Sequence, residues 1–238
     1  MRPTIVLVHG AFAESASWDQ VIDPLLDAGH QVVAAANPLR GLASDAAAVS
    51  DNVRSIEGPV VLVGHSYGGA VITNVDADAG EIAGLVYVNA FAPESGENCF
   101  QLAGMFPGSM LGEETARPVS RSDGTTDLYI APDRFHDIFC QDVPAPQAAL
   151  MAATQRPATQ EALVEPSGER PLWRDVPSRF LIGEEDRIIP PALQHYMAKR
   201  ANAHRTIEIP GASHAATVSH PDATAHLILE AAALHVAA

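Results

Sequence analysis

The sequence predicts an α/β fold: a doubly wound, mainly parallel six-stranded sheet with a helical cap inserted after the fourth strand. Three observations carry this. Short β-branched and apolar runs recur with nearly continuous hydrophobicity, as strands buried on both faces of a parallel sheet require. Segments with helical spacing separate most of them, the alternation from which doubly wound sheets are built. One stretch, from 92 to 176, breaks that rhythm.

The strand candidates, in order, are "TIVLV" (4–8), "QVVAA" (31–35), "PVVLV" (59–63), "GLVYV" (84–88), "RFLI" (179–182) and "TIEI" (206–209). Between the first two, "SASWDQVIDPLLDAGHQ" places apolar residues at helical intervals and stops at Gly29. "SDAAAVSDNVRSIEG" offers Ser44 or Asp45 as a cap and ends at Gly58. "IPPALQHYMAKRANA" opens with prolines suited to a first helical turn, and "SHPDATAHLILEAAALHV" offers Ser219 as the cap of a closing helix. Across 92–176 no convincing strand stands out, while "PDRFHDIF" and "APQAALMAAT" read as short helices. A structureless loop of that length is improbable inside a compact domain, so the stretch reads as an inserted, mostly helical cap. The expected organisation is a core in two parts, 1–91 and 177–238, with the cap at 92–176.

Composition narrows the function. A chain of 238 residues, 47% hydrophobic, can bury one sizeable core. A formal net charge of −15, with no cluster of Lys or Arg to overrule it, disfavours nucleic acid and anionic membrane surfaces as partners. The N-terminal apolar run is about five residues, too short for a signal-peptide core or a membrane span, so a soluble cytoplasmic protein is expected. Cys99 and Cys140 are too few for a disulfide framework or a zinc cluster, and read as buried thiols.

The chemistry centres on "GHSYG" (64–68), which runs directly from a buried strand into a small, apolar helical segment. Strand, Gly-x-Ser-x-Gly, helix is the setting of a nucleophile elbow. The turn is so tight that a Cβ at its glycines would collide with neighbouring backbone, and it holds the serine at the strand's C-terminal edge. Chance would place this pattern about 0.1 times in such a chain, so Ser66 reads as a nucleophile. A serine hydroxyl is weak alone and needs a base, a carboxylate to orient that base, and oxyanion donors. In this architecture the order along the chain is Ser, acid, His.

His214, on the loop after the last strand, is the best-placed base; His220, His226 and His235 lie at or within the closing helix. Glu184, Glu185 and Asp186 follow the fifth strand. Asp186 lies furthest along the loop, just before the helix-opening prolines, and is the expected acid; the two glutamates read as solvated charge. Glu94, just after the fourth strand, is the alternative acid. The first strand ends in His9-Gly10-Ala11-Phe12, where a second oxyanion donor is needed. The expected hole is therefore the backbone N–H of Ala11 and of Tyr67, with Gly10, Phe12 and His9 around the substrate pocket. For His9 a bracing role in the loop outweighs a second-base role.

Taken together, "LVHGAF....SW", "GHSYGGAV", "GEEDRIIP" and "GASHAATVSHP" resemble the α/β-hydrolase superfamily over nearly the whole chain. Within it they resemble the branch of plant methylesterases, hydroxynitrile lyases and their bacterial relatives. The resemblance implies Ser66, Asp186 and His214 as the triad, no cofactor and no metal. It also implies a small-molecule ester as substrate and, since members are often dimers, a homodimer as the assembly. The lyases of that branch carry a threonine after the first-strand histidine and a lysine after the catalytic histidine. Here those positions are Gly10 and Ala215, which disfavours cyanohydrin cleavage and favours hydrolysis of small, mostly apolar esters or lactones. A lyase or perhydrolase, or a ligand-binding receptor on the same fold, is the rival reading. Dehalogenases and epoxide hydrolases of this fold need an aspartate nucleophile, which Ser66 argues against. Arg117, Arg121 and Arg134 are the cap residues that could add a positive clamp.

Overall fold

A computed structural model of the chain describes residues 1–236, with side chains as far as 233; the side chain of His235 lies outside the described residues. Six strands form the central sheet: β1 (Thr4–Val8), β2 (Val32–Ala35), β3 (Pro59–His65), β4 (Glu81–Val88), β8 (Ser178–Gly183) and β9 (Arg205–Ile209). Their spatial order is β2-β1-β3-β4-β8-β9 and every pairing is parallel. The continuous apolar runs are explained by burial on both faces. Along each strand successive side chains alternate between two packed layers. Ile5, Leu7, Val61, Val63, Val86 and Val88 meet α1 (Asp19–Asp27) and α10 (Pro221–Val236) on one side. Val6, Val8, Leu62, Leu85, Tyr87 and Phe180 meet α2 (Leu42–Arg54), α3 (Tyr67–Thr73) and α8 (Pro191–Arg200) on the other.

Two helix starts differ from the sequence reading. α2 begins at Leu42, and the Asp45 N–H already donates an intrahelical bond to Gly41 O at 2.8 Å. Ser44 and Asp45 therefore lie inside the helix. Asp45 is drawn inward because its carboxylate accepts from the Tyr67 hydroxyl at 2.8 Å. Ser219 ends a separate turn, α9 (Ala216–Ser219), and its hydroxyl donates back to Ala215 O, so it is spent before α10 starts at Pro221.

The stretch inserted after β4 carries the expected helices α5 (Pro132–Phe139) and α6 (Ala145–Thr154), with short α4 (Cys99–Ala103) and α7 (Gln160–Val164). It also carries a small antiparallel sheet that the sequence reading lacked: β5 (Ala116–Ser120), β6 (Thr126–Ile130) and β7 (Ala158–Thr159), in that order. β5 is mostly exposed and contains Pro118, so no apolar run marks it. Ile130, Ala158 and Leu128 pack it on the core, and polar ties add to this. Asp127, nearly buried, pairs with Arg40 at 2.6 Å and Arg121 at 3.5 Å. Thr159 bonds the backbone of Leu39 and Arg40, which lie beyond the end of β2. Among the described residues no helix is long and apolar enough to cross a membrane. Cys99 and Cys140 are buried free thiols, the latter pushed up to about 12 by burial.

Candidate active site

The elbow is built from the end of β3 and the start of α3. Ser66 joins them with φ 55° and ψ −124°, in the left-handed half of conformational space that a non-glycine residue enters only under constraint. The constraint is steric and hydrogen-bonded. A Cβ at Gly64 would lie 2.5 Å from Gly68 O, and one at Gly68 would strike Val8 O. The Ser66 carbonyl accepts from Gly69 N–H at 3.0 Å and from Phe91 N–H at 3.1 Å, which pins the turn to the residues after β4.

Asp186 and His214 are brought together from loops after β8 and β9. His214 Nδ1 and Asp186 Oδ2 are 2.8 Å apart, with both side chains fully shielded from solvent. The Asp186 carboxylate is satisfied on every side: Oδ1 accepts from Ile188 N–H at 2.8 Å and Ile189 N–H at 2.9 Å, and Oδ2 also accepts from Gln194 Nε2 at 2.8 Å. These bonds fix the carboxylate's orientation, so the imidazole is presented with Nδ1 engaged. Its other nitrogen, Nε2, is buried and has no hydrogen-bond partner among the described residues. Phe139 of α5 stands edge-on to the His214 ring with centroids 4.9 Å apart, so the cap covers this imidazole.

The loop after β1 closes over the elbow. A Cβ at Gly10 would stand 2.5 Å from Ser66 Cβ, so only glycine permits this approach. Neither Ala11 N–H nor Tyr67 N–H makes a backbone hydrogen bond among the described residues, whereas Phe12 N–H donates to Arg156 O of the cap at 2.9 Å. His9 is buried and both ring nitrogens are occupied: Nδ1 donates to Gly10 O at 2.9 Å and Nε2 accepts from Asn37 N–H at 3.2 Å. Burial holds it at about 4, neutral at physiological pH. It braces the loop.

Phe12 also lines a groove of about 210 Å³ between this loop and α6, whose other walls include Leu150, Met151, Gln155 and Val218. Among the described residues its charged lining is Glu14 and Asp19, and Ser66, Asp186 and His214 do not line it. Glu94 is spent in an ion pair with Arg174, and Glu184 and Glu185 are exposed. Arg117, Arg121 and Arg134 pair with Asp133, Asp127 and Asp137 on the cap. His220 faces Asp142 at 3.5 Å and His226 faces Glu230 at 3.2 Å. No group of three or more His, Cys, Asp or Glu is placed to hold a metal ion among the described residues.

Three polar residues went unassigned in the sequence reading. Gln194 steadies Asp186, as above. His65 is pushed down to about 3, by burial first and by the neighbouring His214 second; its Nε2 donates to His214 O at 2.9 Å. Asn89 bonds the same carbonyl. A polar residue closing an apolar strand run, as Asn89 does in "LVYVN", could have marked the residue, though not its distant partners.

Comparison with known proteins agrees with this architecture. A family model described as "Alpha/beta hydrolase family" matches residues 5–227. The α/β-hydrolase nvfD of Aspergillus novofumigatus is 27% identical over 98% of this chain and 97% of its own. The pyrethroid hydrolase of Sphingobium wenxiniae is 28% identical over 95% of this chain and 86% of its own. The crystal structure of polyneuridine aldehyde esterase superposes with a TM-score of 0.80 at 20% identity, covering 97% of this chain and 99% of that one, a likeness of fold. With its parallel six-stranded sheet, its elbow and a family match spanning nearly its whole length, the chain belongs to the α/β-hydrolase family.

Proposed function

We propose that this chain is a serine esterase that cleaves small, mostly apolar carboxylic esters or lactones through Ser66, His214 and Asp186. The observation that carries the reading is the fully buried His214–Asp186 bond, which leaves His214 Nε2 as the unengaged nitrogen of a base supplied by the loop next to the elbow. In this reading Ser66 Oγ attacks the ester carbonyl as His214 Nε2 takes its proton. Asp186 keeps the imidazole in the required tautomer and stabilises the imidazolium, and the Ala11 and Tyr67 amides receive the oxyanion. Collapse expels the alcohol, which takes the proton from His214. Water, activated by the same histidine, then hydrolyses the acyl-enzyme. No step calls on a cofactor.

In this reading the groove beside Phe12, which Ser66, Asp186 and His214 do not themselves line, adjoins the reacting centre and favours an uncharged substrate. Its aromatic, Leu and Met walls favour apolar groups, and Glu14 and Asp19 repel carboxylates and phosphates. The pairing of the three cap arginines with aspartates argues in the same direction. The preference for hydrolysis over cyanohydrin cleavage is supported at two positions: at Gly10 any larger side chain would collide with Ser66, and Ala215 is buried where a lysine would be needed.

The test is turnover of a p-nitrophenyl ester series from acetate to decanoate by the wild type and by Ser66→Ala, with hydroxynitrile cleavage assayed in parallel. Loss of at least ~10⁴-fold in kcat in the variant is expected, the scale seen when a triad nucleophile is removed. Ester turnover that survives in Ser66→Ala, or cyanide release in place of hydrolysis, would overturn the reading.

A further inference from the structure

Asn89 is the first residue beyond β4, fully buried, with a positive φ of 44°. β4 lies in the sheet between β3, which carries the elbow, and β8, which carries the acid loop. Asn89 uses its N–H and both polar atoms of its side chain. Its N–H donates to Leu181 O at 2.9 Å and its Oδ1 accepts from Gly183 N–H at 2.7 Å, both on the strand leading to Asp186. Its Nδ2 donates to Ser213 O at 2.7 Å and to His214 O at 3.0 Å, on the loop that carries the base. A single side chain thus grips both loops.

We propose that Asn89 is a positioning residue that sets the separation of Asp186 and His214, a role that rests on the triad reading above. The chemistry selects this residue type. The gap needs an acceptor facing Gly183 and a two-hydrogen donor facing two carbonyls, which only an amide supplies. Glutamine would be a methylene too long, and aspartate would face the carbonyls with no donor. Asparagine is also among the side chains that best tolerate positive φ. His65, held neutral, donates a second bond to the His214 carbonyl from the residue before the nucleophile. The base is therefore tied by its own backbone to the nucleophile's turn and to the acid's strand. Misplacing a reacting group by about 1 Å costs ~100-fold in rate, so such ties act on kcat.

The experiment is a double-mutant cycle. Asn89→Gly removes the side chain at a backbone conformation that glycine accepts freely. In the wild-type background kcat on a p-nitrophenyl ester is expected to fall ~10–100-fold with KM within ~2-fold. In an Asp186→Ala background the same change is expected to cost less than ~3-fold, because the pair it positions is already gone. A cost equal in both backgrounds, or a folded Asn89→Gly enzyme within ~3-fold of wild type, would overturn the proposal. If Asn89→Gly does not fold, Asn89→Ala deletes the acceptor and the donors without adding charge; the same cycle is read with the same outcomes. An Asp186→Ala enzyme of undiminished kcat would instead remove the triad reading, and this proposal with it.

Discussion

The two sheets of this molecule are held by different forces. The central sheet is parallel and sealed between two helix layers: all five residues of β1 and all seven of β3 are buried. The cap sheet is antiparallel and three-stranded, and four of the five residues of its edge strand β5 are exposed. The first is held by apolar area, of which each buried aliphatic side chain supplies about 1.5–3 kcal/mol. The second depends on a buried carboxylate, Asp127, and on backbone bonds to the loop after β2. The lesson is that the sheet carrying the candidate chemistry rests on apolar area and answers to charge only at the histidines on its C-terminal edge, while the cap sheet leans on charged and polar ties as well.

Leu62→Ala, in the middle of β3, should break the first sheet most severely. It is expected to cost 2–5 kcal/mol of global stability, measured by denaturant unfolding with an unchanged m-value. The next effect is acid. His9 and His65, at the C-terminal ends of β1 and β3, have been pushed down to about 4 and about 3 from an ordinary 6.5. Below 6.5 the unfolded chain takes up protons that the folded one refuses. Their stabilising contribution is therefore complete above pH 6.5 and is lost as pH falls toward 4 and then 3. Stability should fall by on the order of 2 kcal/mol per histidine between pH 6.5 and 5, a window in which carboxylates scarcely titrate. His9→Gln should flatten that slope, as read by urea titrations at several pH values.

Asp127→Ala tests the second sheet. It removes the partner of Arg40 and Arg121 and is expected to cost about 1.5–3 kcal/mol, felt as local opening of the cap. Limited proteolysis should then cut near residues 121–125 at denaturant concentrations where the central sheet is intact. Smallest of all, Arg117→Ala on exposed β5 should change stability by less than ~0.5 kcal/mol in the same assay, since its pair with Asp133 is long and solvated.

The contrast also explains what the sequence made legible. The inner core strands stand out because burial on both faces writes continuous apolar runs, whereas the edge strands β2 and β9 are partly exposed; the elbow stands out because sterics demand glycine on both sides of Ser66. β5 and β6 satisfy no such demand. Their one local mark is Asp123-Gly124 at the turn, where Gly124 has φ 89°, a hairpin signal without apolar strands to frame it. Asp45 looked like a helix cap because capping is what aspartate does locally, whereas its partner, Tyr67, lies on another helix. Asn89 and Gln194 are in the same position: their partners are 94 or more residues away for Asn89 Oδ1 and Nδ2, and on a separate loop for the Gln194 bond to Asp186. Nothing within a short window announces such bonds.

The cap is joined to the loop after β1 through main-chain atoms, Phe12 N–H to Arg156 O, just after the helix that walls the groove. A joint of this kind is indifferent to which side chains sit at either end. Mutations can accumulate along α6 and reshape the groove wall without unfastening the cap from the loop after β1. Built in this way, the groove can change shape by drift, one wall residue at a time, while the sheet beneath stays in register.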